Sequence, residues 1–103
     1  MRIKYFSALA SALLIASAAQ ASEEMAKKYN CLACHQTDKK LVGPSYQEVA
    51  TKYKSQAEAS ALLAKKIKEG GVGVWGQIPM PPNPTVPDAD LNALVSWIMG
   101  MAK

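Results

Sequence analysis

Few residues in this sequence can bind a metal, because 103 residues include one histidine and two cysteines. A structural zinc site takes four ligands, whereas Cys31, Cys34 and His35 supply three. Once His35 is used as a ligand, no second imidazole remains for acid–base chemistry. A structural zinc centre is therefore disfavoured, and so is chemistry that needs a second histidine as an acid or base.

Arginine is almost absent, since Arg2 is the single example. The whole chain carries a formal charge of +4, but without Arg2 and Lys4 ten lysines face eight acids, a net charge of +2. Bidentate reading of phosphate or guanine favours arginine. The basic composition is thus weak evidence for a nucleic-acid partner, and none is predicted.

Long hydrophobic runs are also missing, apart from residues 5–19. That run follows a positively charged start and ends in a small-x-small cleavage site at Ala21, the pattern of a secretory signal peptide. We predict a signal peptide over 1–21, one domain over 22–103 and a periplasmic location. The run is short for a membrane span of about 20 residues, so an uncleaved anchor is the alternative.

The chain shows no internal repeat and no alternating strand pattern, so an all-α fold of about four helices is predicted. Ser45 and Ser55 each begin a capping-box pattern that opens a helix, and Asp88 opens the last one. Five of the six prolines fall between Pro79 and Pro87, which predicts an irregular proline-rich loop over 72–87. Helical spacing predicts these inward-facing residues: Tyr46, Val49, Tyr53, Ala59, Leu63, Ile67, Leu91, Leu94, Val95 and Ile98.

The strongest motif is CLACH, residues 31–35. Two cysteines three apart with a histidine directly after indicate covalent haem attachment, with His35 as the proximal iron ligand. A thioredoxin-like dithiol would need a strand–turn–helix setting, which the sequence does not show, and a plain disulfide leaves His35 unexplained. With both thiols consumed by haem, no disulfide is expected.

Met80 lies between Pro79 and Pro81 in the proline-rich loop. A methionine in a loop is usually a core gap-filler, and packing is the better explanation for Met25, Met99 and Met101. The prolines fix the backbone on both sides of Met80, which suits a thioether held against the distal face of an iron. We therefore predict Met80 as the second iron ligand.

Together these segments resemble the short monohaem class I cytochromes c of Gram-negative bacteria, the c-551/c-552 group. The resemblance covers nearly all of 22–103 and rests on five pieces: CLACH at 31–35, LVGPSY at 41–46, KIKEG at 66–70, GVWGQIPMPPN at 73–83 and LVSWIMG at 94–100. It implies a class I cytochrome c fold around one covalent haem c, with a proline-rich loop on the distal side.

The resemblance also implies roles for individual residues. Cys31 and Cys34 correspond to the thioether attachments, and His35 and Met80 to the axial ligands. By the same resemblance, the Pro44 carbonyl orients the His35 ring and the Asn83 amide lies near the methionine sulfur. The Trp75 indole binds a haem propionate, and Lys66 occupies a position near that propionate that is often an arginine. An ordinary core aromatic is the alternative for Trp75, and a solvated helix lysine for Lys66.

Met80 as the second axial iron ligand, together with the lack of another histidine, favours a periplasmic electron carrier and not an enzyme. Such a carrier would shuttle single electrons between respiratory redox partners. A haem protein with an open or labile iron, binding ligands or acting as a weak peroxidase, is the alternative. A permanent subunit of a larger oxidoreductase is a third possibility. We expect a monomer with transient partners, such as membrane oxidoreductases, a terminal oxidase or a nitrogen-oxide reductase, and without stable membrane insertion.

Overall fold

The computed structural model describes residues 22–103, so the predicted signal peptide over 1–21 lies outside the described residues. Helix α1 covers residues 22–28, and a single 3-10 turn follows at Cys31–Ala33. Helices α2, α3 and α4 span Tyr46–Tyr53, Ala59–Glu69 and Asp88–Met99. Across these residues, strand-like pairing is limited to isolated bridges, so the all-α prediction with four helices is confirmed.

Helix α2 begins where its capping residue predicts. The Ser45 hydroxyl accepts a hydrogen bond of 3.1 Å from the backbone N–H of Glu48, which satisfies one of the helix's first free donors. Ser45 is buried, so this cap also fixes the chain just before α2. The Ser45 capping prediction is confirmed.

The prediction that α3 begins at Ser55 is wrong, because the helix starts at Ala59 and Glu58 at its N-cap makes no side-chain capping bond. The backbone N–H of Gln56 bonds to the Tyr53 carbonyl and that of Ala59 to the Gln56 carbonyl. These turns occupy the donors that a helix from Ser55 would have used. The helix starts only where the apolar periodicity does, at Ala59.

Helix α4 is the centre of the core. Its four predicted inward residues, Leu91, Leu94, Val95 and Ile98, are all buried. Each of the three hydrophobic clusters contains at least one of them, so α4 joins the packing of α1, α2 and α3. Met25, Met99 and Met101 pack at the edges of these clusters, in agreement with the packing role predicted for them.

Two polar contacts fasten α4 to its neighbours. The Tyr29 hydroxyl, just after α1, donates a hydrogen bond of 2.6 Å to the Asp90 carboxylate. The Lys68 ammonium on α3 lies 2.7 Å from the Asp88 carboxylate at the first residue of α4. Both acids lie in the first turn of α4, where the helix dipole favours negative charge.

The segment between α3 and α4 is irregular, as predicted. Gly70 ends α3 with a φ of 72°, a left-handed conformation that glycine adopts readily. The chain from Gly71 to Pro87 then contains turns and one isolated bridge but no helix. Over the described residues, no helix has the length and apolarity needed to cross a bilayer.

Candidate functional site

A cleft with a cavity volume of about 330 Å³ separates the 31–46 segment from the loop that follows α3. Its apolar lining includes Val42, Val49, Leu63, Ile67, Val72, Val74, Trp75 and Ile78. Val72 and Ile78 are 65% and 68% exposed, which is unusual for large aliphatic side chains grouped on one surface. The cleft therefore has the character of a site for a large apolar group.

Both cysteines lie on the cleft wall as free thiols. The 3-10 turn places them on one helical turn, with the N–H groups of Cys34 and His35 both donating to the Cys31 carbonyl, at 3.2 and 2.9 Å. Asn30, with a φ of 61°, turns the chain out of α1 into this segment. Burial raises the pKa of the Cys31 thiol above its usual value.

His35 also lines the cleft, and its ring is oriented by the backbone. Its Nδ1 lies 2.7 Å from the Pro44 carbonyl oxygen. A carbonyl can only accept, so Nδ1 carries the proton and Nε2 keeps its lone pair for a ligand. The structure thus brings together His35 and Pro44 as the sequence predicts.

Two residues beside His35, Gly43 and Tyr46, were not predicted to belong to the site. A Cβ at Gly43 would lie 2.6 Å from His35 Cε1, so the ring occupies space that only glycine leaves open. The Tyr46 ring stacks on the imidazole with centroids 5.5 Å apart. Gly43 precedes Pro44, and a Gly-Pro pair indicates a turn. Neither Gly43 nor Tyr46 carries a sequence signal of contact with the His35 ring.

Met80 lines the same cleft, and its backbone is tied to the end of α3. The Met80 N–H donates to the Gly71 carbonyl at 2.8 Å, and the Gly71 N–H donates to the Met80 carbonyl at 3.1 Å. The Met80 carbonyl oxygen also occupies the space that a Cβ at Gly70 would need. Glycine at Gly70 therefore allows the loop to return close to α3.

Trp75 and Lys66 both lie on the cleft wall. Trp75 is 39% exposed, and the Lys52 ammonium lies 5.5 Å from its ring centroid, a distance typical of a cation–π contact. Lys66 is half-buried, and within the described part of the chain its ammonium forms no ion pair. The Trp75 indole, which can donate a hydrogen bond, and the Lys66 ammonium therefore border the same cleft.

Asn83 is placed differently from the other predicted site residues. Its side-chain amide donates to the carbonyls of Ile67 and Pro81, at 3.2 and 3.3 Å, and its backbone N–H donates to Ile67 at 3.0 Å. It is not among the described residues that line the cleft. In this arrangement Asn83 fastens the loop to the end of α3, and its approach to the Met80 sulfur remains a prediction.

The residues around the cleft fit a covalent haem. Two thiols lie one turn apart, an imidazole presents Nε2, a thioether lies in the same cleft, and the remaining wall is mostly apolar. Two thiols can form thioether bonds to the edge of a porphyrin, and an imidazole and a methionine thioether suit an iron with histidine and methionine ligands. Over residues 22–103 no group of three or more His, Cys, Asp or Glu side chains forms another metal site.

Comparison with known proteins agrees with this chemistry. A family model described as Cytochrome c matches residues 19–102. Cytochrome c-552 of Nitrosomonas europaea is 57% identical over 90 residues, which cover 87% of each chain. Cytochrome c-551 of Allochromatium vinosum is 47% identical over 91 residues, which cover 88% of this chain and 97% of that one. The crystal structure of wild-type Nitrosomonas europaea cytochrome c552 superposes with a TM-score of 0.75 at 53% identity, covering 77% of this chain and 98% of that one.

Proposed function

The chain belongs to the cytochrome c family of electron-carrying haem proteins, and from this premise we propose that it shuttles single electrons in the periplasm between respiratory redox partners. The family binds one covalent haem c, which supplies an iron that changes its charge by one electron. The observation that carries the proposal is that His35 and Met80 line one cleft, each on a fixed backbone.

Cys31 and Cys34 are the proposed points of attachment. Both thiols lie on the turn that ends at His35, so covalent attachment there fixes the cofactor beside its proximal ligand. Attachment also keeps the cofactor in place during repeated oxidation and reduction. The protein then needs no large binding energy from the exposed loop to retain it.

His35 acts as the proximal ligand through Nε2. The hydrogen bond from Nδ1 to the Pro44 carbonyl selects the tautomer that leaves Nε2 unprotonated and increases its basicity. Pro44 is buried and directly precedes the Ser45 cap of α2. The orientation of the imidazole is therefore set by the start of a helix.

Met80 is the proposed distal ligand. A methionine bound to the iron would distinguish an electron carrier from a haem protein with an open iron position. Two backbone hydrogen bonds to Gly71 and the flanking prolines hold the residue in place. A ligand set that stays the same in both oxidation states requires little rearrangement during electron transfer. The chain also has no second histidine for the proton transfers that peroxide chemistry needs.

Trp75 and Lys66 are proposed to bind a haem propionate. The structure offers an indole donor and an ammonium on the cleft wall, and among residues 22–103 that ammonium forms no ion pair. Lysine binds a carboxylate as a point charge and lacks the planar fork of arginine. Its contact should therefore be less directional than the one an arginine would make.

We test the distal ligand with Met80→Ala. The ferric protein should lose the absorption band of a methionine–iron(III) pair. Its potential should fall, since axial ligands tune haem potentials over about 0.8 V, and reduced protein should bind carbon monoxide. Met99→Leu, which alters a methionine packed in the core, is the matched control and should keep band and potential.

A band that persists in Met80→Ala would contradict the ligand assignment. A wild-type protein that lacks the band and binds carbon monoxide would favour an open iron instead. In either case the electron-carrier proposal loses its main support.

The periplasmic location has its own test, the intact mass of the protein after export. The expected mass is that of residues 22–103 plus one haem c. A mass that includes residues 1–21 would show that the segment is retained and contradict the predicted boundary.

A further inference from the structure

Tyr46 is a buried titratable residue that the proposed mechanism does not use. It is the first residue of α2, is 3% exposed and lines the cleft beside His35. Its ring presents an aromatic surface to the imidazole.

The Tyr46 ring lies between His35 and the core. Its centroid is 5.5 Å from the imidazole centroid with 28° between the planes, and 5.2 Å from Trp97 with 62° between the planes. These are the offset-stacked and edge-to-face arrangements that aromatic pairs prefer. Trp97 belongs to α4, so a continuous aromatic contact runs from the central helix to the imidazole.

The backbone of Tyr46 is also tied to the histidine segment. Its N–H donates to the carbonyl of Gln36, the residue after His35, at 2.9 Å. The single hydrogen bond from Nδ1 to Pro44 restrains one ring atom but allows the imidazole to tilt about that bond. Histidine χ2 is a broad torsion, so a second contact is needed to fix the plane.

We propose that Tyr46 is the positioning residue that fixes the plane of the His35 imidazole through ring stacking. The inference rests on the proposed role of His35 as an iron ligand. The aromatic ring of Tyr46 alone is proposed to fix the imidazole plane. The hydroxyl is buried and bonds to no other described residue, so no polar contact of Tyr46 is assigned a part in the orientation.

The test compares two substitutions at Tyr46 with matched substitutions at Tyr53 in the holoprotein. Tyr53 is also a buried tyrosine of α2 that lines the cleft, and no aromatic stacking on His35 is found for it among the described residues. The readouts are the g values of the ferric electron paramagnetic resonance spectrum, which depend on the orientation of the axial ligand plane, and the denaturant midpoint of unfolding.

Tyr46→Leu should shift the largest g value and lower the unfolding midpoint, because the imidazole loses its stacking surface. Tyr46→Phe should keep the wild-type g values and should not lower the midpoint, since no described residue bonds to the hydroxyl it removes. Tyr53→Leu should lower the midpoint without moving the g values, and Tyr53→Phe should leave the g values unchanged.

Wild-type g values in Tyr46→Leu would overturn the inference, as would an equal shift in Tyr53→Leu or in Tyr46→Phe. If Tyr46→Leu does not assemble, proton NMR of the reduced wild type decides. Nuclear Overhauser contacts between the Tyr46 ring and the His35 imidazole are expected, and their absence overturns the inference. A wild type without an imidazole–thioether ligand pair would instead refute the proposed function, and this inference with it.

Discussion

At the level of single residues, the site depends on where a side chain is missing. Gly43 leaves the space that the His35 imidazole fills, and a Cβ there would lie 2.6 Å from Cε1 and 3.0 Å from Nδ1. Contacts below about 3 Å between a Cβ and a ring force one of the groups to move. The ring is the movable group, and it is the one that must keep its orientation.

We therefore predict that Gly43→Ala displaces the imidazole and weakens its hydrogen bond to Pro44. Overpacking of this kind costs about 1–3 kcal/mol. The free energy of unfolding should fall by that amount, and the methionine–iron(III) band should shift or weaken. Denaturant titration and the ferric spectrum measure the two effects.

Gly100→Ala is the matched control for Gly43→Ala. A Cβ at Gly100 would lie 3.4 Å from its nearest atom, an ordinary contact distance, and Gly100 is not among the described residues that line the cleft. This variant should keep the wild-type band and lose little stability. A Gly43→Ala protein that matched the Gly100→Ala protein in both measurements would show that the ring has room to move without consequence.

The sequence indicates the reactive residues better than the residues that surround them. Cys31, Cys34 and His35 form a contiguous motif, and Met80 is marked by its prolines. Tyr46 and Gly43 act through packing against a ring that the sequence does not place in space. Asn83 was given a place near Met80 by resemblance, whereas its amide here bonds to backbone carbonyls.

At the level of helices, α4 is held at its first turn by two acids that contact other elements. Asp88 lies 2.7 Å from the Lys68 ammonium, and the hydrogen bond and charge of Lys68 lower the pKa of this carboxyl below its ordinary value. A folded-state pKa below the unfolded one stabilises the protein above the unfolded pKa. That contribution is lost as the pH falls through the folded pKa.

We predict that Asp88→Asn lowers the unfolding midpoint slightly near pH 7, because Asp88 is largely and Lys68 partly solvent-exposed and such pairs contribute little. The difference from wild type should shrink as the pH falls through the acid range, where Asp88 itself becomes protonated. Denaturant titrations at several pH values measure this. Asp38→Asn is the control, since Asp38 forms no ion pair among the described residues.

A difference between Asp88→Asn and wild type that stayed constant down to the lowest pH would contradict this assignment. It would point to a packing effect of the substitution and not to the carboxylate charge. A similar loss in Asp38→Asn would assign the effect to net charge.

Helix positions could be predicted where local chemistry agreed with packing. Ser45 caps α2, as the sequence indicates. The same capping pattern at Ser55 gave the wrong start for α3, because turn hydrogen bonds from Gln56 and Ala59 took precedence. A capping box is a local signal, and it does not reveal whether the preceding helix has left room for another.

At the level of the whole molecule, the helices cover one side of the cleft and an irregular loop covers the other. Large apolar side chains of that loop, including Val72 and Ile78, face solvent at 65% and 68% exposure. A domain of this size has a small core and needs an additional stabilising group. A covalent haem in the cleft would supply that group by covering these side chains.

We predict that Cys31→Ala combined with Cys34→Ala gives a largely unfolded, protease-sensitive protein. Circular dichroism and limited proteolysis measure helix content and compactness. Ala33→Ser, an exposed position between the two cysteines, keeps both thiols and should fold and carry haem normally. Native-like helix content and a cooperative melt in the double variant would show that the chain folds without its cofactor.

Two regions of the protein differ in local stability, and the two backbone hydrogen bonds between Gly71 and Met80 lie where they meet. Helix α4 is buried among three clusters, whereas the loop that carries Met80 is secured by its two hydrogen bonds to Gly71 and by the bonds of Asn83 to the end of α3. Segments with few buried contacts open at a lower free energy than the global transition. Amide exchange should therefore be fastest in the loop, and Met80, the proposed iron ligand, should leave the cleft before the helices unfold.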